Sequence, residues 1–128
     1  MLRIMFVDDE KLALENIRLL LPWADMGMQV TTCDNALEAL NRMIEIQPDI
    51  LIADIRMPVM DGLEATRRIR NGENPLGRII PILAMTANAF LEDMQKSKEA
   101  GMDVHLSKPV DIAALEQTVK RFRVTPPH

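Results

Sequence analysis

Ile50-Leu51-Ile52-Ala53-Asp54 is the stretch that decides the fold. Four apolar residues with no polar alternate read as a strand covered on both faces, as in a parallel sheet flanked by helices, and the run stops on a carboxylate. Other runs have the same form. Ile4 to Val7 ends on Asp8-Asp9, Ile82 to Met85 ends on Thr86, and Val104 to Leu106 is followed by Ser107 and Lys108. In an open parallel sheet the carboxyl ends of the strands share one edge, where ligands bind. Three carboxylates, a hydroxyl and an ammonium would meet at that edge. Such a set suits a divalent cation and a phosphoryl group.

Between the runs lie longer segments of helical period, so the order is repeated βα units. Strands are expected at Arg3 to Val7, Met28 to Cys33, Ile50 to Ala53, Ile80 to Met85 and Val104 to Ser107. The first helix spans about Lys11 to Leu21, with Ala13, Ile17, Leu20 and Leu21 inward, and Pro22 stops it. The second spans about Asn35 to Gln47, capped by Asp34 or Asn35, with Leu37, Leu40, Met43 and Ile44 as its apolar positions. The third runs from Leu63 to Arg70, and Asn71 to Arg78 reads as loop. The fourth covers Leu91 to Ala100 with Gly101 as a left-handed stop. Asp111 caps the fifth, whose apolar face is Ile112, Leu115, Val119 and Phe122. The sum is an α/β fold: one five-stranded parallel sheet, doubly wound, in five βα units. Residues 1–123 form one domain, and 124–128 are a tail or the start of a linker.

The 128 residues suffice for one core that buries roughly 65–70% of the unfolded surface. A formal charge of −4 repels a nucleic-acid backbone, so no direct nucleic-acid binding is expected. Arg67, Arg68 and Arg70 read as a solvated helix face. The single cysteine, Cys33, excludes an internal disulfide and reads as a small buried apolar residue. Trp23 is expected to pack as a lid over the end of the first helix. Met57, Met60, Met85, Met94 and Met102 read as core filling. No apolar stretch approaches the roughly 20 residues of a membrane span, and no signal peptide precedes the first strand, so no membrane partner and a cytoplasmic location are expected.

Asp8, Asp9 and Asp54 offer oxygen ligands only, which suit Mg²⁺, with Mn²⁺ as the alternative. Without a cation the three carboxylates would repel one another. Asp54 stands alone at its strand end and is the better nucleophile, forming an acyl phosphate; the adjacent Asp8 and Asp9 are suited to share the ion. Lys108 offers a point charge to phosphate oxygens and Thr86 one hydroxyl donor. Asp61 reads as a helix cap beside Gly62.

Val7-Asp-Asp-Glu10, Asp54-Ile-Arg-Met-Pro-Val-Met-Asp-Gly62, Met85-Thr-Ala87 and Lys108-Pro109, in that order, resemble the receiver domain of two-component response regulators. The likeness runs from about Leu2 to Phe122. It implies a flavodoxin-like fold with strand order 2-1-3-4-5 and a phosphoacceptor at Asp54. It implies Mg²⁺ held by Asp9, by Asp8 directly or through water, by Asp54 and by the Arg56 backbone carbonyl. Thr86 and the Ala87 N–H would take the phosphoryl oxygens, with Lys108 paired to them and Pro109 as a cis-proline that places Lys108. The implied partners are a histidine kinase or phosphotransfer protein and a downstream output domain or protein, and a phosphorylation-dependent dimer is an option. The implied switch moves Thr86 inward, and the aromatic position that follows it is here His105, a departure from the family pattern. The output face would be the fourth helix, fifth strand and fifth helix of the five-unit count. Such a domain catalyses its own phosphorylation and dephosphorylation only.

The first half, with Leu21-Pro-Trp-Ala-Asp-Met-Gly27, looks like receivers of AraC-type regulators. The second half, with Met85-Thr-Ala-Asn-Ala-Phe90, looks like receivers of hybrid histidine kinases. A strand starting within three residues of Met1 favours a receiver that begins its own polypeptide. Two other readings compete. A phosphohydrolase of the haloacid-dehalogenase kind would need Asp-x-Asp after the first strand, where this chain has Asp8-Asp9-Glu10. An interaction module that is never phosphorylated would usually lack one of the acids or the lysine, all of which are kept.

Overall fold

The computed structural model describes residues 2–20, 22–55, 60–72, 76–86, 91–107 and 112–124. Its elements are β1 (Leu2–Val7), α1 (Lys11–Leu20), β2 (Met28–Cys33), α2 (Ala36–Ile46), β3 (Ile50–Asp54), α3 (Gly62–Asn71), α4 (Leu76–Ile79), β4 (Ile82–Thr86), α5 (Leu91–Ala100), β5 (Val104–Ser107) and α6 (Ile112–Val124). The strands form one sheet in the order β2-β1-β3-β4-β5, and every pairing is parallel. The doubly wound, flavodoxin-like architecture is therefore the one expected.

Strand parity sorts the apolar residues into two layers. Ile4, Phe6, Ile50, Ile52, Leu83, Met85 and Leu106 pack with Leu14 and Ile17 of α1 and Leu115 and Val119 of α6. Met5, Val7, Leu51, Ala53, Ile82 and Ala84 point the other way, onto Ala39 and Met43 of α2 and Ile69 of α3. Both faces of β3 are covered, and all five of its residues are buried. That is why its sequence shows no alternation.

Trp23 caps the first layer as expected. It is buried, donates Nε1–H to the Ile17 carbonyl at 2.9 Å, and meets the Phe6 ring edge-on at 6.0 Å. Cys33 is buried, as are Met60, Met85 and Met102, whereas Met94 is exposed and Met57 lies outside the described residues. Gly101 takes the left-handed stop with φ 110°.

Several expectations need correction. On α1, Ile17 is buried as expected and Leu14 joins it, while Ala13 is only half-buried; the side chains of Leu20 and Leu21 lie outside what the structure describes. On α2 the buried positions are Ala36, Ala39 and Met43, while Leu37 and Ile44 are exposed. Asn35 caps it, accepting from the Glu38 N–H at 2.8 Å, and that start rotates the small alanines against the sheet. Residues 76–79, expected as loop, form the single turn α4. β4 starts at Ile82, with Pro81 before it accepting a bond from the Leu51 N–H. Arg67 and Arg68 are exposed, but the Arg70 side chain keeps 16% of its exposure and is tied inward. No helix among the described residues is long and apolar enough to cross a membrane.

Candidate functional site

The carboxyl ends of β1 and β3 lie side by side, with Val7 opposite Ala53. Asp8 follows β1, and its N–H donates to the Cys33 carbonyl of β2 at 3.1 Å, which holds the backbone in the sheet for one residue more. One of its carboxylate oxygens accepts the Glu10 N–H at 3.0 Å, a local turn that fixes the side chain. Asp54 closes β3 opposite Met85 of β4, and the Ile55 N–H continues the ladder to the Met85 carbonyl at 3.0 Å. Asp8 and Asp54 are buried and Asp9 is exposed, yet one carboxylate oxygen from each lies within 4.8 Å of the others.

That donor set fits a small hard cation. At bond lengths near 2.1 Å, adjacent oxygens around an Mg²⁺ ion would be about 3.0 Å apart and opposite ones about 4.2 Å, so three donors within 4.8 Å of one another are on the scale of one such ion. Two buried acids and one exposed acid leave the remaining vertices to water and substrate, as Mg²⁺ prefers. A soft metal would want sulfur or imidazole, and no Cys or His belongs to this group.

Thr86 ends β4 opposite Ser107, the last residue of β5, so its backbone reaches the same sheet edge. Arg56, Ala87, Lys108 and Pro109 lie outside the described residues, as does Asp111. His105 sits in β5 opposite Ala84, half-buried on the side of the sheet facing α5. Its Nε2 bonds to Ser97 Oγ of α5. Ser97 Oγ also lies 2.9 Å from the Met94 carbonyl of its own helix, so the hydroxyl has a partner on α5 as well as on β5. Burial pushes the His105 imidazole below its ordinary value of 6.5. Ser97, fully buried, was not legible as part of this feature: it is an ordinary polar residue in a helical run, and its partner lies eight residues on across a turn.

Asp61 caps α3 as expected, accepting the Glu64 N–H at 2.8 Å. The cap seats the N-terminus of α3 against the end of β3, where the Gly62 N–H donates to the Ile55 carbonyl at 2.9 Å.

Residues 4–120 match the response regulator receiver domain. The chain belongs to that family. The receiver is 41% identical over 117 residues to the sensor histidine kinase RcsC of Salmonella typhi, covering 91% of this chain and only 12% of that kinase's length. Among solved structures, it resembles the receiver domain of sensor histidine kinase PA1611 from Pseudomonas aeruginosa, at 34% identity and TM-score 0.83 over 97% of this chain and 98% of that one. That structure has a magnesium ion coordinated in its active-site cleft. The chemotaxis protein CheY4 of Vibrio cholerae superposes with TM-score 0.86 at 30% identity, over 95% of this chain and 98% of that one. The strand order and the five parallel strands are those of this fold. The receiver is thus a two-component signalling module.

Proposed function

We propose that this receiver accepts a phosphoryl group on Asp54 in a Mg²⁺-dependent reaction, from a histidine kinase or phosphotransfer protein, and signals through the face of α5, β5 and α6. The observation that carries the reading is the meeting of the Asp8, Asp9 and Asp54 carboxylates within 4.8 Å at adjacent strand ends. The magnesium in the PA1611 receiver and the kinase relatives support it.

Asp8, Asp9, Asp54 and the Arg56 carbonyl would hold Mg²⁺. The bound ion supplies positive charge that offsets repulsion between carboxylate and phosphoryl oxygens. An Asp54 oxygen attacks phosphorus, and a P–O bond forms as the P–N bond of the donor phosphohistidine breaks. The leaving imidazole nitrogen keeps the electron pair and takes up a proton. Thr86 and the Ala87 N–H would hold phosphoryl oxygens and Lys108 would pair with the group, compensating charge where it develops. Water later attacks the acyl phosphate, releasing inorganic phosphate and restoring the Asp54 carboxylate.

The output arises because Thr86 and His105 lie on neighbouring strands. Drawn toward the phosphoryl group, Thr86 vacates space behind it, and His105 releases Ser97 of α5 to follow. A two-position element of this kind is what phosphorylation can bias. Phosphoramidate, a small P–N donor, tests the acceptor step. Incubated with Mg²⁺, the chain should gain a slower band on a phosphate-affinity gel that Asp54→Asn lacks. A band of equal strength in the variant would overturn the assignment.

A further inference from the structure

We infer that Gly62 is a positioning residue for the phosphoacceptor, because the absence of its side chain lets the end of β3 and the start of α3 close on one another. The inference rests on the receiver chemistry proposed above. A Cβ built at Gly62 would stand 2.3 Å from the Asp54 carbonyl oxygen, 3.0 Å from its carbonyl carbon and 3.1 Å from the Ile55 Cα. All three are backbone atoms of the strand end that carries the nucleophile, so no side chain can swing aside. Ordinary contact needs roughly 1 Å more than the closest of these.

Neither wall can yield without cost. On the strand side, Asp54 pairs with Met85, and the Ile55 N–H is bonded to the Met85 carbonyl. On the helix side, the Gly62 N–H holds the Ile55 carbonyl at 2.9 Å, and the Gly62 carbonyl accepts the buried Thr66 hydroxyl at 2.7 Å. Ala65 and Thr66 are themselves buried. Displacement is therefore shared, and the strand's portion moves Asp54 relative to Asp8 and Asp9, whose oxygens must close on one ion. Glycine here serves close approach, with no left-handed backbone involved.

Gly77 provides a matched control. A Cβ there would stand 2.3 Å from the Ile69 carbonyl oxygen, the same overlap, but toward the other end of α3. Gly62→Ala and Gly77→Ala should both lower thermal stability. Mg²⁺ titrations of the folded proteins by calorimetry then separate them. Gly62→Ala should bind Mg²⁺ about 10-fold or more weakly, the size of effect that groups supporting metal ligands have. Its labelling rate with acetyl phosphate should fall by about 10- to 100-fold, as a misplacement near 1 Å implies. Gly77→Ala should stay within about twofold of the parent in Mg²⁺ affinity, as a distant independent site does. If Gly62→Ala unfolds, trimethylamine N-oxide restores the compact state for the same titration. Unchanged Mg²⁺ affinity in Gly62→Ala, or equal loss in both variants, overturns the role of Gly62. No Mg²⁺ binding by the parent chain would instead overturn the receiver chemistry on which it rests.

Discussion

Replacing Arg70 by Met should cost this domain about 3 kcal/mol without touching Mg²⁺ affinity. The side chain, 16% exposed, makes five hydrogen bonds. Nε and Nη2 both reach the Gly101 carbonyl, at 3.0 and 2.7 Å, and Nη1 reaches the Gly77 and Ile80 carbonyls, at 3.0 and 2.7 Å. Nη2 also meets Asp103 Oδ2 at 2.9 Å. The guanidinium thus ties α3 to α4, to the start of β4 and to the turn between α5 and β5. Methionine keeps the apolar stem and loses every donor.

The carbonyls of Ile80 and Gly77, both buried residues, then lose a charged donor, at about 1–1.5 kcal/mol each. The Gly101 carbonyl is nearer solvent and recovers part of its loss from water. The ion pair adds less than about 1 kcal/mol, because Asp103 is half-exposed and keeps its bond to the Ile82 N–H at 2.8 Å. The bonds to backbone carbonyls outweigh the pair with Asp103. A domain of this size has an unfolding entropy near 0.27 kcal/mol/K, so Tm should fall by roughly 11 °C. Urea unfolding at constant slope measures it, and Arg70→Lys, which has no fork, should recover less than half. A Met variant within about 1 kcal/mol of the parent would mean that the Arg70 bonds do not hold these elements together.

Asp8→Asn should raise the stability of the Mg²⁺-free domain by roughly 1 kcal/mol, since it relieves repulsion among three carboxylates, and should abolish stabilisation by Mg²⁺; thermal melts with and without the ion check both signs. Trp23→Phe should cost about 1–3 kcal/mol, because the Ile17 carbonyl loses its buried donor, and chemical denaturation would show it. His105 has its affinity for a proton lowered in the fold, so the unfolded chain takes up that proton first. Stability from this group is full above pH 6.5 and is lost as pH falls through 6.5 toward the depressed folded value. His105→Gln should flatten that slope, and parallel pH profiles for the two proteins would contradict it.

The strands were legible because β3 and β4 are buried on both faces, which leaves continuous apolar runs that no helix of this length would need. The acids were legible because each follows such a run. Their approach to within 4.8 Å was not, since it depends on the parallel register that sets Val7 beside Ala53. Arg70 looked like its neighbours Arg67 and Arg68, and only tertiary contacts with residues 77, 80, 101 and 103 distinguish it. α4 was hidden because four residues are too few to show a period. On α2 the larger apolar residues drew the expected inward face, yet Ala36 and Ala39 pack inward and Leu37 stays exposed. Ser97 had no signal of its own, because it matters for its partner across a turn; Gly62 closes the Asp54 motif in sequence, but the close approach it allows shows only in three dimensions.

The central claim is that the acidic group makes Asp54 a Mg²⁺-dependent phosphoacceptor. Intact-mass spectrometry after incubation with acetyl phosphate tests it most directly. The expected result is a single added phosphoryl group that is absent when Mg²⁺ is chelated and absent in Asp54→Asn. An adduct that persists in Asp54→Asn, or that forms equally well without Mg²⁺, would contradict it.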